Sequence, residues 1–258
     1  MATWFCPRRL TDLAGLTVLD AGCGMGRHAT IAARHGVARL VGIDLGSAVE
    51  AAFANTRDLE SVCIVQGDIY HPPLKADAFD AGYSLGVLHH LPEPKRGFAA
   101  LASKIKPGGW FQVWVYGREG NGGLLYVLNP MRRITSKMPL RMLKAMSAVI
   151  AVPVALAAKS LYKLPGIGLR LPYSGYMRWL ASGSFAKIHA IVFDQLLAPV
   201  AYYMRKDEVL DMVAVEGWTV QGIEHSRGMS WGVTVERNGE RAADDQTQHR
   251  LQSADTGG

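Results

Sequence analysis

The feature that most constrains the fold is the stretch VLDAGCGMGRH at residues 18–28, in which glycines stand at every second position behind Asp20. The apolar run before the aspartate predicts a buried strand. The glycines predict a tight turn, because glycine adopts positive φ without a steric penalty. Backbone without side chains also lets a ligand approach closely. The stretch therefore predicts a strand, a ligand-binding turn and the start of a helix, an order typical of α/β folds.

The chain up to about residue 117 alternates apolar runs with helix-like stretches, as a parallel sheet with crossover helices does. Its 258 residues, 49% of them hydrophobic, suffice for one large α/β domain with its own core. Strands are predicted at residues 16–21, 39–44, 61–66, 79–84, 110–116, 218–224 and 230–235. Helices are predicted at residues 28–36, 47–58, 95–106 and 206–216.

Residues 120–201 interrupt this alternation. Their prolines and glycines predict several short helices and no separate compact domain. We expect an insertion over the carboxyl edge of the sheet, where ligands of open α/β sheets bind. The expected organisation is a core at residues 1–119, a basic helical insertion at 120–201, the rest of the core at 202–236 and a polar, disordered tail at 237–258.

The positive charge of the chain is concentrated in this insertion. Residues 121–190 hold ten Lys or Arg and no Asp or Glu, so this segment carries +10, the whole chain +6 and the remainder −4. The longest apolar run, residues 145–158, has 14 residues and includes Pro153. Because a spanning helix needs roughly 20 apolar residues, no transmembrane segment is predicted.

The N-terminus and the cysteines bear on the compartment. The start MATWFCPRRL lacks the long apolar run and cleavage site of a signal peptide. Cys6, Cys23 and Cys63 show no CxxC spacing, so neither a disulfide framework nor a zinc site is predicted. We expect a cytoplasmic protein with no bound metal.

The spacing of the glycines constrains the ligand. A dinucleotide fingerprint, GxGxxG, would need its third glycine where this chain has Arg27. The carboxylate of Asp20 also suits a ligand with an ammonium group better than a pyrophosphate. Asp20, Asp44 and Asp68 each follow a successive predicted strand, and carboxylates accept hydrogen bonds from diols and amines. The alternatives are a tight packing turn for the glycines, and a helix cap or solvated strand end for each aspartate.

The stretch VLDAGCGMG resembles the first motif of class I S-adenosylmethionine (SAM)-dependent methyltransferases. Four further stretches resemble that family in the same order: VGIDLG, QGDIY, FDAGYS with LGVLHHL, and IKPGG. The resemblance covers about residues 12–117 and 200–236. It implies a Rossmann-like, doubly wound, seven-stranded, mostly parallel sheet with a helical insertion after the fifth strand, and SAM as the cofactor.

The resemblance also implies roles for individual residues. Asp44, followed by Leu45, would accept both ribose hydroxyls. Asp68 would lie near the adenine amino group, with Ile69 packed on the ring. The first motif and the loop after the fourth strand would hold the methionine part of SAM, through Asp20, Gly22, Gly24, Gly26, Ser84 and Leu85. Two rival functions remain: a non-catalytic SAM-binding or interaction protein, and a nicotinamide-dependent oxidoreductase.

Methyl transfer is an in-line displacement at a sulfonium carbon, so a general base is useful but optional. His89 and His90 follow the fourth strand and are candidate bases or acceptor contacts, or else they pack the loop. His189 and Asp194 are candidates for the acceptor pocket, or else a structural pair. Tyr202 and Tyr203 are candidates for the pocket wall or the core.

The acceptor is less constrained than the cofactor. DNA amino-methyltransferases carry a Pro-Pro-aromatic motif at the fourth strand, where this chain reads SLGVLHH, so nucleic acid is a disfavoured partner. Basic residues beside apolar, proline-containing stretches suit a lid over a hydrophobic or anionic acceptor, a surface resting on an anionic membrane, or an ordinary subdomain. We expect a small-molecule acceptor, lipid-like or glycan-linked, with O-methylation slightly favoured and peripheral membrane contact through residues 121–190.

Overall fold

The structure, a computed structural model, describes residue 5 and residues 7–197 and 201–239. The chain divides into two compact units. The first comprises Met1–Val115, Lys206–Glu224 and Trp231–Gly258, and the second comprises Tyr116–Arg205 with His225–Ser230. The expectation that the insertion would form no compact unit was therefore wrong. The predicted disordered tail lies, from residue 240 onward, outside the described residues.

Seven strands form one sheet in the described part of the chain, in the order β3-β2-β1-β4-β5-β7-β6. Their bounds are β1 Thr17–Ala21, β2 Arg39–Asp44, β3 Val62–Gln66, β4 Phe79–Leu85, β5 Ile105–Tyr116, β6 Trp218–Ser226 and β7 Ser230–Arg237. The β1–β2, β2–β3, β1–β4 and β4–β5 pairs are parallel. The chain order reverses beside β1, which pairs with β2 on one side and β4 on the other. Such a switch point is where open α/β sheets bind ligands.

The helices of the first unit are α1 Arg27–Ala33, α2 Ala48–Thr56, α3 Pro94–Ala102 and α9 Lys206–Val213. Helix α3 begins with Pro94, whose fixed φ suits a first helical position. It ends before the predicted residue 106, because Ile105 already pairs with Phe79 of β4. The stretch Pro107–Gly109 therefore belongs to β5, beside a register irregularity between Phe79 and Ala81.

The core of the first unit lies around β1 and β4. Both strands are buried along nearly their whole length, as expected of central strands covered on two faces. The largest buried side chain at this position is Tyr83, which packs edge-on against Phe5 with ring centroids 5.9 Å apart. The same cluster includes Val18, Leu40 and Trp110. A packed hydrophobic core thus supports the carboxyl ends of β1, β2 and β4.

The helices of the second unit are α4 Gly122–Thr135, α5 Leu140–Lys159, α6 Ile167–Arg170, α7 Ser174–Ala181 and α8 Phe185–Leu197. Helices α4 and α5 are longer than predicted, because Pro130 and Pro153 lie inside them and do not end them. The core of this unit joins α5 to α7 and α8 through buried Ala151, Leu180 and Ile188, among others.

The segment Leu140–Lys163 is long and apolar enough to cross a membrane, judged by length and composition alone. It has 24 residues, and 22% of its most apolar window is buried. The sequence prediction considered only the apolar run at residues 145–158, whereas the helix continues through polar and basic residues at both ends. That this segment does not cross a membrane stays a prediction.

Candidate functional site

The turn after β1 is built for glycine. Gly22, Gly24 and Gly26 all have positive φ, at 85°, 52° and 78°. A Cβ on Gly22 would also collide with the side chain of Val87. The backbone N–H groups of Gly22 and Cys23 donate to the carbonyl of Ile43 at 2.7 and 3.0 Å, which ties the turn to β2. The loop therefore has a fixed backbone without side chains at its three glycines, next to the switch point of the sheet.

Asp44 at the end of β2 anchors the same loop. Its Oδ2 accepts the N–H of Gly24 at 2.9 Å, and its Oδ1 accepts the N–H of Gly46 at 3.0 Å. Each carboxylate oxygen has a further lone pair, so the group can still accept two hydrogen bonds from a diol. Leu45 beside it is exposed. The two backbone N–H groups thus fix the orientation of the Asp44 carboxylate, and its remaining lone pairs can accept hydrogen bonds from a ligand.

Asp20 at the end of β1 is 1% exposed. Burial raises the pKa of its carboxyl to about 7; a hydrogen bond from Tyr83 opposes this shift, and the charge of Asp44 adds to it. The Tyr83 hydroxyl donates to Oδ2 of Asp20 at 3.1 Å, and the two residues are paired directly across β1 and β4. A buried carboxylate of this kind is stabilised in its charged form by a neighbouring cation. The ammonium group of an amino-acid ligand is such a cation.

Asp68 and Ile69 follow β3. Asp68 accepts the N–H of Tyr70 at 2.9 Å through Oδ1, and its Oδ2 lies 3.5 Å from Nδ1 of His71. The Asp68 side chain is partly exposed and Ile69 is buried. The N–H of Gly67 donates to the carbonyl of Asp44 at 2.9 Å, which links this loop to the end of β2. Asp68 therefore lies on the same edge of the sheet as Asp44.

The end of β4 carries Ser84 and Leu85, both buried. The Ser84 hydroxyl has no hydrogen-bond partner among the described residues. Buried hydroxyls are usually satisfied, so this one is available to a ligand or a water molecule. The next residue, Gly86, has a φ of 83° and donates to the carbonyl of Trp114 at 2.9 Å.

His89 and His90 lie in the 3₁₀ turn Leu88–His90. His89 is fully buried, whereas His90 is half-buried. Their ring centroids are 4.2 Å apart with an interplanar angle of 46°. The burial of His89 makes it part of the loop packing, and His90 is the more exposed residue of the pair.

Three residues of the first unit were missed by sequence reasoning. Tyr83, the partner of Asp20, gave no local signal, because the pair spans 63 positions and depends on the β1–β4 register. Val87 covers Gly22 from the loop after β4. His28 follows the glycine turn, and burial lowers its pKa to about 4, with the charge of Arg27 adding to the effect, so its ring is neutral near pH 7. His28 stood inside the opening motif and could have been considered from the sequence.

The second unit contains a pocket of about 500 Å³. Two arginines and three tyrosines contribute to it, and none of the described residues that line it is acidic. The lining comprises Arg118, Gly122, Leu125, Tyr126, Asn129, Pro130, Arg133, Ala201, Tyr202 and Tyr203. Tyr202 and Tyr203 thus lie at a pocket wall. The pocket is suited to an anionic group next to an apolar or aromatic body.

His189 and Asp194 both lie on α8 but do not line this pocket. Nε2 of His189 lies 2.9 Å from the Ser147 hydroxyl and 3.2 Å from the carbonyl of Lys144, both on α5. Five helical positions correspond to a rotation of about 140°, so the two side chains leave α8 in different directions. In the structure His189 bridges two helices, and Asp194 is exposed.

Arg132 is a buried cation, 3% exposed. Its Nε donates to the carbonyl of Gln195 at 2.7 Å, and its Nη2 donates to Oε1 of Gln195 at 2.6 Å and to the Tyr203 hydroxyl at 3.2 Å. The Tyr203 hydroxyl also donates to Oε1 of Gln195 at 3.0 Å. Arg132 is one of the ten Lys or Arg of residues 121–190, and it joins α4 to α8 beside the pocket residue Tyr203.

We find no candidate metal site in the part of the chain that the structure describes. No three His, Cys, Asp or Glu residues there are grouped so as to hold an ion. Cys23 is buried and Cys63 is exposed, and both are free thiols.

Comparison with known proteins covers mainly the first unit. Residues 19–113 match a family described as "Methyltransferase domain". The chain is 36% identical to the ubiquinone biosynthesis O-methyltransferase of Chromobacterium violaceum over 49% of this chain and 58% of that protein. It is 31% identical to the tRNA U34 carboxymethyltransferase of Methylococcus capsulatus over 46% of this chain and 37% of that protein. The aligned part thus spans less than two thirds of either relative.

A solved structure extends the likeness to both units. The SAM-dependent methyltransferase from Mesorhizobium loti is similar with a TM-score of 0.51 over 87% of this chain and 92% of that chain, at 18% identity. At this identity the likeness concerns the fold alone. Residues 19–113 of this chain therefore match a methyltransferase domain, and the described fold is similar to that of a SAM-dependent methyltransferase.

Proposed function

We propose that this chain is a SAM-dependent methyltransferase that acts on a small-molecule acceptor. The observation that carries the proposal is the placement of Asp20 and Asp44 at the ends of two adjacent strands around a glycine turn, with acceptor capacity left on both carboxylates. A ligand with an ammonium group and a ribose diol is complementary to that pair. The family match of residues 19–113 supports the same cofactor.

Each residue of the site has a definite task toward the cofactor. Asp20 accepts from the ammonium group, and Tyr83 orients its carboxylate. Asp44 accepts from the ribose hydroxyls, while Asp68 and Ile69 hold the adenine edge and face. The Ser84 hydroxyl supplies one more polar contact near the methionine part. SAM itself supplies an electrophilic methyl group on a sulfonium.

The remaining tasks of the protein are to align the acceptor and to exclude water. A proton must leave an acceptor hydroxyl, and His90 is the half-buried histidine of the loop after β4 that can accept it. His89, which is fully buried, supports that loop. We therefore assign the base role to His90.

The lining of the pocket in the second unit supports our proposal for the acceptor class. Arg118 and Arg133 bring two positive charges to its wall, and Tyr126 and Tyr202 bring aromatic surface. This combination suits an acceptor that joins an anionic group to a lipid-like or ring-bearing body, glycan-linked acceptors included. The relative from C. violaceum is by name an O-methyltransferase, which supports transfer to oxygen.

Transfer to RNA is the second candidate, since the relative from M. capsulatus is by name a tRNA-modifying enzyme. The observation against it here is that the basic residues of 121–190 alternate with exposed apolar side chains such as Val149 and Leu156. A surface that binds phosphates is usually polar between its charges.

We also propose that the protein is cytoplasmic and that its residues 121–190 contact an anionic membrane.

The test is incubation of the full chain with radiolabelled SAM and fractionated extract of its source cells. We expect label in a small-molecule or lipid fraction with the wild type, and none with Asp44→Ala. The matched control is Asp58→Ala, because that carboxylate is 91% exposed and precedes the amino end of β3, whereas the site lies at the carboxyl ends of the strands. Label in RNA would contradict the acceptor class. Cofactor binding without transfer to any fraction would favour a non-catalytic SAM-binding protein.

A further inference from the structure

Helix α5 has an unusual distribution of side-chain sizes. The face that packs inside the second unit carries mostly small side chains: Leu143, Ser147, Ala151, Ala155 and Ala158. The opposite face carries large aliphatic residues, and Val149, Val152 and Leu156 are 71%, 47% and 64% exposed. A helix of a water-soluble core shows the reverse order, because the large side chains gain most from burial.

The exposed apolar residues continue beyond α5. We call the α5 ridge the set that runs from this helix into the turn and short helix that follow: Val149, Val152, Leu156, Leu161, Leu164, Ile167 and Leu169. Each of them is more than 40% exposed. Exposed apolar side chains concentrated in one segment mark a candidate site of contact with another apolar phase or molecule.

Positive charge accompanies the ridge. Arg141 and Lys144 stand in the first turns of α5 and Lys159 ends it. Lys163 and Arg170 stand along the following segment. No acidic residue occurs between residues 121 and 190. A surface that combines aliphatic side chains with unopposed cations is complementary to a bilayer that contains anionic lipids.

We propose that the α5 ridge docks into the headgroup and acyl boundary of an anionic bilayer, with α5 lying in the plane of the membrane. Valine and leucine side chains enter the acyl layer, and the flanking lysines and arginines contact lipid phosphates. This inference deepens the membrane contact proposed above, and its readout, lipid binding, does not depend on methyl transfer.

The packing of α5 favours an in-plane position over a spanning one. Its small-residue face is covered by α7 and α8, through Ala151, Leu180 and Ile188. Those partners have 8 and 13 residues, whereas crossing the hydrocarbon layer takes roughly 20. They also carry Arg178 and Lys187. A spanning α5 would draw these charges into hydrocarbon, while an in-plane α5 leaves them on the water side.

The first test is co-sedimentation of the full chain with phosphatidylcholine vesicles, with and without phosphatidylglycerol. We expect about tenfold stronger binding to the anionic vesicles. The variant Val149→Ser, Val152→Ser, Leu156→Ser should bind them about tenfold more weakly or not at all. Its control is Phe53→Ser with Val220→Ser, which removes exposed apolar side chains from the first unit and should bind as the wild type does.

The second test concerns charge. Lys159→Glu with Lys163→Glu should lower binding to anionic vesicles about tenfold. Arg39→Glu with Lys75→Glu changes the net charge equally in the first unit and should have little effect. Thermal unfolding and S-adenosylhomocysteine (SAH) binding of every variant report on folding and on the cofactor site, so failure of the membrane proposal is distinguishable from failure of the proposed function.

Three results would overturn the inference. Equal binding of the wild type to neutral and anionic vesicles, or no binding to either, excludes the anionic bilayer as the partner. A wild-type dimer that the triple serine variant dissociates, seen by light scattering after gel filtration, shows that a second copy covers the ridge. Retention in cell membranes after alkaline carbonate extraction shows that α5 spans the bilayer and does not lie in its plane.

Discussion

The hydroxyl of Tyr83 donates a hydrogen bond of 3.1 Å to Oδ2 of Asp20 across two paired central strands. This bond lies inside the core, where Asp20 is 1% exposed and Tyr83 is fully buried. It opposes the cost of keeping a carboxylate in a low-dielectric environment, yet burial still raises the pKa of Asp20 to about 7. The site therefore holds an acid that titrates near neutrality until a cationic ligand arrives.

Cofactor affinity should depend on pH through Asp20. With the pKa of Asp20 at about 7, the free protein holds the proton at lower pH, and the ammonium of SAH must displace it. Below that pKa we expect the affinity for SAH to rise up to about tenfold per pH unit as the pH rises, and then to level off. Isothermal titration from about pH 5 to about pH 8 measures this profile. In Asp20→Asn the slope should disappear and the affinity should be low throughout.

The same pKa shift affects the stability of the ligand-free protein in the opposite direction: SAH affinity should rise with pH, whereas stability should fall. Because the folded-state pKa of Asp20 lies above its ordinary value of 3.8, ionisation costs more in the folded state than in the unfolded one. Its contribution to the free energy of unfolding should therefore fall as the pH rises from about 4 to about 7. Thermal unfolding across this range, compared between the wild type and Asp20→Asn, reports the difference. Parallel curves for the two proteins would contradict the burial of this carboxyl.

Tyr83→Phe should raise the pKa of Asp20 further, because it removes the hydrogen bond that favours the charged form. The pH profile of SAH binding should shift toward higher pH, with a loss of about 1–2 kcal/mol in the free energy of unfolding. Tyr70→Phe is a suitable control, since the Tyr70 hydroxyl accepts a bond from the N–H of Glu93 and does not contact Asp20. An unshifted profile in Tyr83→Phe would exclude tuning by this tyrosine.

Gly22→Ala should abolish SAH binding and destabilise the fold by about 1–3 kcal/mol, because alanine at a φ of 85° is strained and its methyl meets Val87. Adding Val87→Ala removes the contacts with the two Val87 γ-carbons but leaves the 2.9 Å contact with Cβ and the backbone strain, so recovery should be partial. Gly15→Ala is the comparison, since Gly15 has a φ of 75° but open space around it. Thermal unfolding and SAH titration of the wild type and these three variants separate the cost of backbone strain from the cost of the collision with Val87.

Asp44→Asn should weaken SAH binding at least about tenfold, because the amide lacks the acceptor capacity of the carboxylate and loosens the Gly24 and Gly46 contacts. The effect should appear mainly in affinity and little in the melting temperature, since the group is only half-buried. Wild-type affinity in this variant would exclude Asp44 as the ribose ligand.

Most of the first unit follows from local sequence patterns. The strand ends at Ala21, Asp44 and Gln66 agree with the structure because period-2 and apolar runs are local signals, and glycine marks the turn by its φ requirement. The Asp20–Tyr83 hydrogen bond could not be predicted from the sequence, since it depends on the register between strands that are far apart along the chain. The end of α3 was misplaced for the same reason, because pairing of Ile105 with Phe79 overrides the local helical signal.

The second unit was harder to predict. Pro130 and Pro153 were interpreted as helix ends, whereas packing carries α4 and α5 through them. Nothing in the sequence distinguished Arg132 from the other nine Lys or Arg of residues 121–190, although it is buried and bonded to Gln195 and Tyr203. The charge pattern of residues 121–190 was visible in the sequence, but which face of α5 packs inward is decided by α7 and α8 and could not be deduced from that helix alone.

The central claim is that the glycine turn with Asp20 and Asp44 forms a SAM site. Isothermal titration of the full chain with SAH and, separately, with NAD tests it most directly. We predict saturable binding of one SAH per chain and no binding of NAD. Binding of NAD without binding of SAH would contradict the account and favour an oxidoreductase.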